Sequence, residues 1–226
     1  MKVRPIIEVR GVGRRFGVEP PFDALVDVHL DVHPGEWVSI AGPSGSGKST
    51  LLNILGLLDA PTSGTYHLAG IDVRTLNDGQ RAGLRSREIG FVFQAFHLIA
   101  YRTVLENVML GDVYRKGQRR DRDERARAAL QRVGLGHRED YLPTRLSGGE
   151  RQRAAIARSI MGSPSVLLCD EPTGNLDSAT TASVLGLFAE LNRSGLTIVM
   201  ITHEADVAAS ADRRVRIVDG RLSVAA

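Results

Sequence analysis

Eight residues in the first quarter of the chain have the types and spacing of a phosphate-binding loop. The segment Gly42–Ser49 reads GPSGSGKS and fits the pattern GxxxxGK[ST] between an apolar strand and a helix. Glycines let backbone N–H groups turn towards an anion, and a helix N-terminus adds partial positive charge. Lys48 would reach the β- and γ-phosphates, and the Ser49 hydroxyl would bind Mg²⁺. The predicted binding residues are Gly42, Ser44, Gly45, Ser46, Gly47, Lys48, Ser49 and Thr50.

Two adjacent carboxylates follow a short apolar segment further along the chain. Val166–Cys169 is predicted to be a buried strand, so Asp170 and Glu171 would lie at its carboxyl end. Open α/β sheets bind ligands at that end of their strands. There Asp170 would hold Mg²⁺, and Glu171 would polarise the attacking water as a general base. Alone, such a pair is an ordinary feature of a strand end. Beside a phosphate-binding loop, it indicates hydrolysis of a bound nucleotide.

The segment Ser147–Glu150 supports two interpretations. A serine followed three residues later by a glutamate is a capping box at the start of a helix. Yet two consecutive glycines, Gly148 and Gly149, are costly in the first turn of a helix. They favour a backbone that approaches a ligand closely, and a helix N-terminus binds anions. We therefore interpret Ser147, Gly148 and Gly149 as phosphate contacts.

Length and composition indicate one large α/β domain of the globular class, since 226 residues are 42% apolar and 24% charged. Cys169 is the single cysteine, so no disulfide can form within the chain and a reducing compartment is expected. No apolar run approaches the roughly 18 residues of a membrane span. The N-terminal residues lack the apolar segment of a signal peptide. Any membrane function is therefore expected to require a partner.

The net charge of +3 is unevenly distributed, because residues 78–160 hold 17 Lys and Arg against 10 Asp and Glu. Such a basic segment could bind nucleic acid or anionic lipid. Residues 119–127, however, alternate their charges as RRDRDERAR, a pattern typical of a solvent-exposed helix. The segment also lacks the interleaved aromatic residues of single-strand binding proteins. We expect a solvated helical face and no nucleic acid partner.

Apolar periodicity predicts strands that alternate with helices, which implies a parallel sheet flanked by helices. The helix that starts at Lys48 is apolar almost all round through Leu58, so it is expected to be buried. Pro61–Gly64 would break it, and a short tail would follow the last strand. The mostly helical block over about 95–160 is interpreted as an insertion into the sheet. Strands are predicted over 6–10, 26–32, 37–41, 89–93, 166–169, 198–201 and 214–218, and further helices over 121–133, 149–161 and 178–193.

Together the motifs resemble those of the ATP-binding-cassette (ABC) ATPases. The sequence LSGGE at Leu146–Glu150, between the phosphate loop and the acidic pair, carries most of the resemblance. In that family this loop contacts the γ-phosphate held by the other subunit. The resemblance also implies four further roles: Gln94 as the Q-loop glutamine that senses Mg²⁺ and nucleotide, Asp177 as part of a D-loop at the dimer interface, His203 as the switch histidine at the γ-phosphate, and Phe16 as the aromatic that stacks on adenine.

The resemblance covers nearly the whole chain and implies its architecture and partners. The fold would be an α/β P-loop NTPase (RecA-like) core with an antiparallel β-subdomain and an inserted α-helical subdomain. Residues 1–226 would form a single ABC ATPase domain without fused domains, with its core at about 1–94 and 161–226 and the helical subdomain at about 95–160. The cofactors would be ATP and Mg²⁺. The partners would be a second copy, joined head to tail around two ATP molecules, and an integral-membrane permease at the cytoplasmic face of the cell membrane.

Within the family, three segments are similar to the macrolide-export and lipoprotein-release (MacB- and LolD-like) branch: PSGSGKSTLLNILG at 43–56, FHLI at 96–99 and TGNLD at 173–177. Two departures lie near the surface expected to face the partner, namely Tyr101-Arg102-Thr103 and Arg151. An FtsE-like ATPase, which gates cell-wall hydrolases through a membrane partner without transport, would have much the same sequence. ABC ATPases of DNA repair or translation usually carry a second cassette, a coiled-coil insertion or zinc cysteines, which this sequence lacks.

Overall fold

The computed structural model describes residues 4–17, 19–113 and 121–224, and these residues form two sheets surrounded by helices. The strands are β1 (Ile7–Phe16), β2 (Phe22–Val32), β3 (Trp37–Ala41), β4 (Ser63–Leu68), β5 (Ile71–Asp72), β6 (Ile89–Phe93), β7 (Val166–Asp170), β8 (Thr197–Thr202), β9 (Arg213–Val218) and β10 (Arg221–Val224). The α-helices are α1 (Lys48–Leu55), α2 (Asp78–Glu88), α3 (Val104–Met109), α4 (Arg122–Arg132), α5 (Gly148–Ile160), α6 (Ser178–Arg193) and α7 (Ala205–Ala208).

The larger sheet has the strand order β10-β9-β3-β8-β7-β6, and its strands are parallel except for β10, which pairs with β9 in the opposite direction. Its register brings the carboxyl ends of several strands together. Ala41 pairs with Thr202, Asp170 with Ile201, and Phe93 with Asp170. The chain therefore leaves β3, β8, β7 and β6 at one edge of the sheet, where ligands bind in open α/β folds.

The smaller sheet is antiparallel, with the order β2-β1-β4-β5. Two buried clusters cover the two faces of the larger sheet. Leu168 of β7 belongs to the cluster that includes α1 and the small sheet, whereas Leu167 and Cys169 belong to the cluster that includes α3 to α6. This alternation follows the pleat of a strand buried on both faces. Helices α3 to α5 therefore share a core with the large sheet, and Cys169 is a buried, uncharged packing residue.

The architecture confirms the predicted α/β fold with an antiparallel sheet and inserted helices, but several element predictions were wrong. Helix α1 ends at Leu55 before Gly56, and beyond the helix Leu57 is buried whereas Leu58 is 52% exposed. Strand β4 begins inside the predicted break at Pro61–Gly64, and the predicted tail contains β10. Helix α2 was missed because Leu84 is its one buried side chain.

The predicted charged helix also needs qualification, since residues 119 and 120 lie outside the described residues. Within the described part, α4 begins at Arg122 with Asp123 and Glu124 in its first turn. Acidic side chains in the first turn stabilise a helix, because they interact favourably with the positive end of its dipole. Both β1 and β2 are longer than predicted, and they form an antiparallel pair whose register shifts on either side of Val12. The boundaries near residues 95 and 160 stay a prediction.

Candidate nucleotide-binding site

The loop between β3 and α1 is held in its conformation by its glycines and by two neighbouring strands. Gly47, at the N-cap of α1, has a φ of 101°, a value that favours glycine. A Cβ atom at Gly42 would overlap the carbonyl oxygen of Ile217, so a side chain there would push the loop off β9. The Gly220 N–H donates to the Ser46 carbonyl at 3.0 Å. The hairpin of β9 and β10 therefore supports the loop from one side.

The lysine of this loop points into the loop itself. Lys48 Nζ donates to the carbonyl oxygens of Gly42 at 2.8 Å and Pro43 at 2.7 Å, and the residue is 8% exposed. The hydroxyl of Ser46 is buried and has no hydrogen-bond partner. A buried ammonium and an orphaned buried hydroxyl in a turn of backbone N–H groups fit a phosphate, which would satisfy them.

A cavity of about 540 Å³ opens on the loop. Its volume is in the range of small-molecule sites. Most of the predicted phosphate-loop residues line it, and Glu171 closes another part of its wall. The lining residues are Phe22, Asp23, Ala24, Ser44, Gly45, Gly47, Lys48, Ser49, Thr50, Glu171, Asp219 and Gly220. Sequence reasoning missed the contributions of β2 and of the turn at Asp219. For β2, the only signal in the sequence was the adjacent pair Phe22 and Asp23 at the start of the strand.

The acidic pair lies where the predicted strand end placed it. Asp170 is the last residue of β7, and partial burial raises the pKa of its carboxyl, an effect that the neighbouring charge of Glu171 reinforces and Lys48 opposes. Glu171 has a φ of 45°, in the left-handed region that non-glycine residues seldom adopt. Its N–H donates to the Ile201 carbonyl at 2.9 Å. That hydrogen bond to β8 helps to hold the unusual backbone in place.

His203, directly after β8, contacts the acidic pair. Its Nδ1 lies 2.9 Å from Oε1 of Glu171. The imidazole is more than half exposed, whereas the carboxylate is mostly buried. Two residues predicted separately, one as general base and one as switch histidine, are thus in direct contact, and of the two only Glu171 lines the cavity.

Gln94 follows β6 and is tied to the segment after the acidic pair. Its Nε2 donates to Oδ1 of Asn175 at 3.3 Å, and Nδ2 of Asn175 donates to the Gln94 carbonyl at 3.1 Å. Gly174 lies so close that a Cβ atom there would be 2.8 Å from the same Nε2. The amide oxygen of Gln94 is the group that could bind a metal ion. Gln94 is not among the residues that line the cavity.

Two arginines of α5 hold the chain just beyond Gln94. Arg158 donates to the carbonyls of Phe96 at 3.0 Å and His97 at 2.6 Å, and burial lowers the pKa of its guanidinium. The guanidinium of Arg151, which is one of the departures from the family pattern, lies 5.1 Å from the ring centroid of Phe96. This cation–π contact joins the helix after the LSGGE segment to the chain after Gln94.

The LSGGE segment forms the capping box that its sequence also predicts. The Ser147 N–H donates to Glu150 Oε2 at 2.8 Å, and the Glu150 N–H donates to Ser147 Oγ at 3.2 Å. Ser147, Gly148 and Gly149 are not among the described residues that line the cavity of the phosphate loop. Asp177 likewise caps a helix, since it accepts from the Thr180 N–H at 2.9 Å and hydroxyl at 2.7 Å. A single copy therefore does not bring this segment to its own phosphate loop.

Phe16 lies at the end of β1, opposite Phe22 of β2. The two rings stack with centroids 5.3 Å apart and planes 26° apart, and the guanidinium of Arg14 lies 4.5 Å from the Phe16 centroid. Of the two aromatic residues, Phe22 lines the cavity and Phe16 does not.

Within the described ranges, no three His, Cys, Asp or Glu side chains cluster as a metal site would require. Ser49 and Asp170 could still hold Mg²⁺ together with oxygens of a bound nucleotide, because Mg²⁺ sites often combine one or two protein ligands with phosphates. In the same part of the chain, none of the helices has the length and apolar character needed to cross a membrane.

Comparison with known sequences agrees with this geometry. The family model described as ABC transporter matches residues 25–174. YvrO, an uncharacterized ABC transporter ATP-binding protein of Bacillus subtilis, is 52% identical over 198 residues, which cover 88% of this chain and 86% of YvrO. The macrolide export ATP-binding/permease protein MacB of Rhodopirellula baltica is 49% identical over 219 residues, which cover 95% of this chain and 32% of MacB. The chain thus spans about a third of that relative's length.

Solved structures show the same fold. The bacterial ABC transporter cassette MJ0796, determined as a dimer, has a TM-score of 0.85 and 40% identity, with 96% of each chain covered. A second structure of MJ0796, in a post-hydrolysis state bound to ADP and Pi, has the same TM-score and 39% identity, with 96% of this chain and 98% of that chain covered. These matches confirm the P-loop NTPase fold. The chain belongs to the ABC transporter family, as an ATP-binding protein of the MacB- and LolD-like branch.

Proposed function

We propose that this chain hydrolyses ATP as one half of a head-to-tail dimer and thereby drives a separate membrane permease. The observation that carries the proposal is that Lys48 and Glu171 line one cavity of nucleotide size at an edge of the parallel sheet, where Asp170 precedes Glu171 and His203 contacts it. Positioning and charge stabilisation supply most of the catalysis in phosphoryl transfer. This edge offers the ammonium, carboxylates and N–H groups that such catalysis requires.

Nucleotide binding would replace contacts that the phosphate loop makes with itself. Lys48 would exchange its bonds to the Gly42 and Pro43 carbonyls for oxygens of the β- and γ-phosphates. Gly42, Ser44, Gly45, Ser46, Gly47 and Thr50 would supply the surrounding donors. Ser49, Asp170 and the amide oxygen of Gln94 would hold Mg²⁺, which when bound neutralises charge on the phosphates.

Hydrolysis would use the contact between Glu171 and His203. Because Nδ1 of His203 lies against Oε1, the second carboxylate oxygen, Oε2, remains to accept a proton from the attacking water. A positioned general base contributes about 10²–10⁴ in rate. His203, whose side chain is more than half exposed beside Glu171, would then contact the γ-phosphate. In its role as switch histidine, the contact of His203 with Glu171 would depend on whether the γ-phosphate is present.

A second copy would complete each site. Ser147, Gly148 and Gly149 do not line the cavity of their own chain, yet they start a helix whose N-terminus suits an anion. Supplied by the partner subunit, they would cover the γ-phosphate, with Asp177 close to the interface. The relative MJ0796 is described as dimeric, which supports this arrangement. ATP would close the dimer and its hydrolysis would reopen it, a two-state element biased by phosphate contacts.

The permease would dock on a groove beside the Q-loop. This groove has a volume of about 1220 Å³ and exposed apolar side chains that include Leu58 and Ile71, and Phe93, which precedes Gln94, also lines it. Tyr101, one of the departures from the family pattern, is 82% exposed in the inserted helical region and is not among the residues that line the groove. MacB is named as an ATP-binding and permease protein in one chain. We therefore propose a MacB- or LolD-like exporter or lipoprotein-release system, with this subunit at the cytoplasmic face of the cell membrane.

The test is to capture the assembly in its closed state. Tagged Glu171→Gln would be expressed in the native host and purified from membranes with ATP, and tagged Glu204→Gln would serve as the matched control. A permease with four membrane-spanning helices and a large extracytoplasmic domain, enriched with Glu171→Gln, is expected. Recovery of a regulator of cell-wall hydrolases would replace transport by the FtsE-like alternative. Recovery of no membrane protein would contradict both.

A further inference from the structure

Gln152 is a fully buried amide in the helix that follows the LSGGE segment. It lies in α5, five residues after Ser147, and its side chain is completely shielded from solvent. The residues buried after it in the same helix include Ala154, Ala155 and Ile156, which are all apolar. A buried polar group costs free energy unless it is hydrogen-bonded. The contacts of Gln152 should therefore explain why an amide occupies this position.

The amide contacts two segments that leave the large sheet at the edge where the site lies. Nε2 of Gln152 donates to the carbonyl oxygen of Pro172 at 2.6 Å, and the carbonyl oxygen of Phe93 lies 3.5 Å away. Carbonyls only accept hydrogen bonds, so the NH₂ group must face them. Pro172 directly follows Glu171, and Phe93 directly precedes Gln94. One side chain of α5 thus joins the segments that carry the proposed general base and the Q-loop glutamine.

The other half of this amide has no use in packing. Among the residues that the structure describes, Oε1 of Gln152 is buried and has no hydrogen-bond partner. An unsatisfied buried acceptor lowers stability, and native proteins contain few of them. Methionine has a similar length and no such acceptor, so stability alone would favour an apolar side chain at this position. We therefore attribute the amide to what its NH₂ group holds.

The segment that Gln152 holds includes the strained backbone of the acidic pair. Glu171 has a φ of 45°, its N–H donates to the Ile201 carbonyl, and its own carbonyl accepts from the Gly174 N–H at 3.1 Å. Pro172 has no N–H, so its carbonyl is the one hydrogen-bonding group that its backbone offers. Left-handed conformations of non-glycine residues persist where the surrounding contacts over-determine them. The bond from Gln152 is the constraint that comes next along the chain after Glu171.

We propose that Gln152 is a positioning residue for ATP hydrolysis, which holds the Pro172 carbonyl and thereby the direction of the Glu171 carboxylate. The inference rests on the proposed function, because it assumes that Glu171 is the general base. Gln152 is not among the residues that line the cavity, so it would act through Glu171 and not on the nucleotide. Its loss should therefore slow turnover without weakening ATP binding.

Steady-state kinetics and calorimetry test this separation with Gln152→Met, which removes the donor and the unpaired acceptor and keeps the length of the side chain. We expect kcat to fall by about tenfold to a hundredfold, the effect of a small misplacement of a catalytic group, whereas KM and the Kd of ATP stay nearly constant. Gln152→Leu, a second side chain without a donor, should show the same loss, so either folded variant provides the test. Unchanged kcat would overturn the inference.

A matched control comes from the next residue of the same helix. Arg153 Nη1 donates to the Val133 carbonyl at 2.9 Å, at the end of α4. Arg153→Met thus also removes a bond from α5 to a backbone carbonyl, but one that does not hold the acidic pair. It should retain the kcat of the unsubstituted protein. An equal loss of kcat in both variants would show a general effect on α5 and would contradict a specific role of Gln152.

A double-mutant cycle then shows whether Gln152 acts through Glu171. Once Glu171→Gln has removed the general base, no base remains to be positioned, so adding Gln152→Met should leave the residual turnover unchanged. A further loss by the same factor would mean that the two residues act independently, and it would overturn the inference. If the unsubstituted protein did not hydrolyse ATP, the proposed function itself would be contradicted. If it hydrolysed ATP and Gln152→Met did so equally well, only the positioning role would be lost.

Discussion

Nδ1 of His203 lies 2.9 Å from Oε1 of Glu171, although the two residues leave different strands. The contact depends on the parallel pairing of β7 with β8, in which Asp170 lies opposite Ile201. It also depends on the left-handed backbone of Glu171, which turns the chain sharply at the strand end. Strained backbone of this kind costs roughly 1–3 kcal/mol and clusters at functional sites. The fold thus keeps a strained backbone conformation at Glu171, and this conformation gives the carboxylate its specific direction.

Replacing Glu171 by glutamine should separate nucleotide binding from hydrolysis. The amide has the shape of the carboxylate but cannot accept the proton of the attacking water. We expect ATP affinity to be retained and turnover to fall by about 10²-fold or more. A dimer that persists with ATP should appear in size-exclusion chromatography. The control, Glu204→Gln, changes a neighbouring exposed carboxylate and should hydrolyse ATP normally. Unchanged turnover in Glu171→Gln would remove this residue from the role of general base.

Replacing Lys48 by alanine should abolish the phosphate contact instead. Hydrogen bonds from a charged donor are worth roughly 1.5–3 kcal/mol each, so the loss of one or two should weaken ATP binding by about tenfold to ten-thousandfold. Calorimetry with ATP and with inorganic tripolyphosphate should show the same loss, because both ligands use the phosphate loop. Thermal unfolding must be measured alongside, since Lys48 also bonds two carbonyls of its own loop. ATP affinity that survives in a folded variant would contradict the assignment.

The two interpretations of Ser147 can be separated by a matched pair of caps. Thr103 and Ser147 each form a capping box with a glutamate three residues later, at the starts of α3 and α5. Ser147→Ala and Thr103→Ala should each lower the free energy of unfolding by about 1 kcal/mol. If the segment also contacts phosphate across the dimer, Ser147→Ala alone should lose ATP-dependent dimerisation and turnover. Equal turnover of the two variants would leave Ser147 as a helix cap only.

The ends of the buried parallel strands were predicted more accurately than the helices, edge strand and loops around them. Buried parallel strands are short apolar runs, so the predicted bounds of β3, β6 and β7 differ from the observed ones by one residue at most. The site residues at the ends of these strands were therefore also placed correctly. Helix α2 buries only Leu84 and has no clear apolar face, and β10 is too short to show alternation. Phe22 escaped notice because its position in the cavity wall depends on the turn at Asp219 and the loop at Gly42–Ser49, which meet only in the folded chain.

The left-handed φ of Glu171 and its contact with His203 could not have been predicted either. Motif spacing identified each residue, but an interatomic distance depends on strand register and on the path of the chain after the strand. The same limit applies to Arg151, whose departure from the family pattern was visible, whereas its contact with Phe96 was not. Local patterns therefore identified the chemistry, and long-range packing determined the partners of each group.

The raised pKa of Asp170 gives the apo protein a characteristic pH dependence. Burial, reinforced by Glu171, makes this carboxyl hold its proton more tightly in the folded protein than in the unfolded chain, where its pKa is about 3.9. Stability from this group is therefore fully present below the unfolded pKa and is lost as pH rises through the raised folded pKa. Asp170→Asn, neutral at every pH, should raise the melting temperature near pH 7, and the gain should shrink towards pH 4. Thermal unfolding with a chelator and without nucleotide measures this, and Asp140→Asn, at an exposed position, should show no such trend. A lower melting temperature for Asp170→Asn at pH 7 would show that contacts of the carboxylate outweigh the cost of burying its charge.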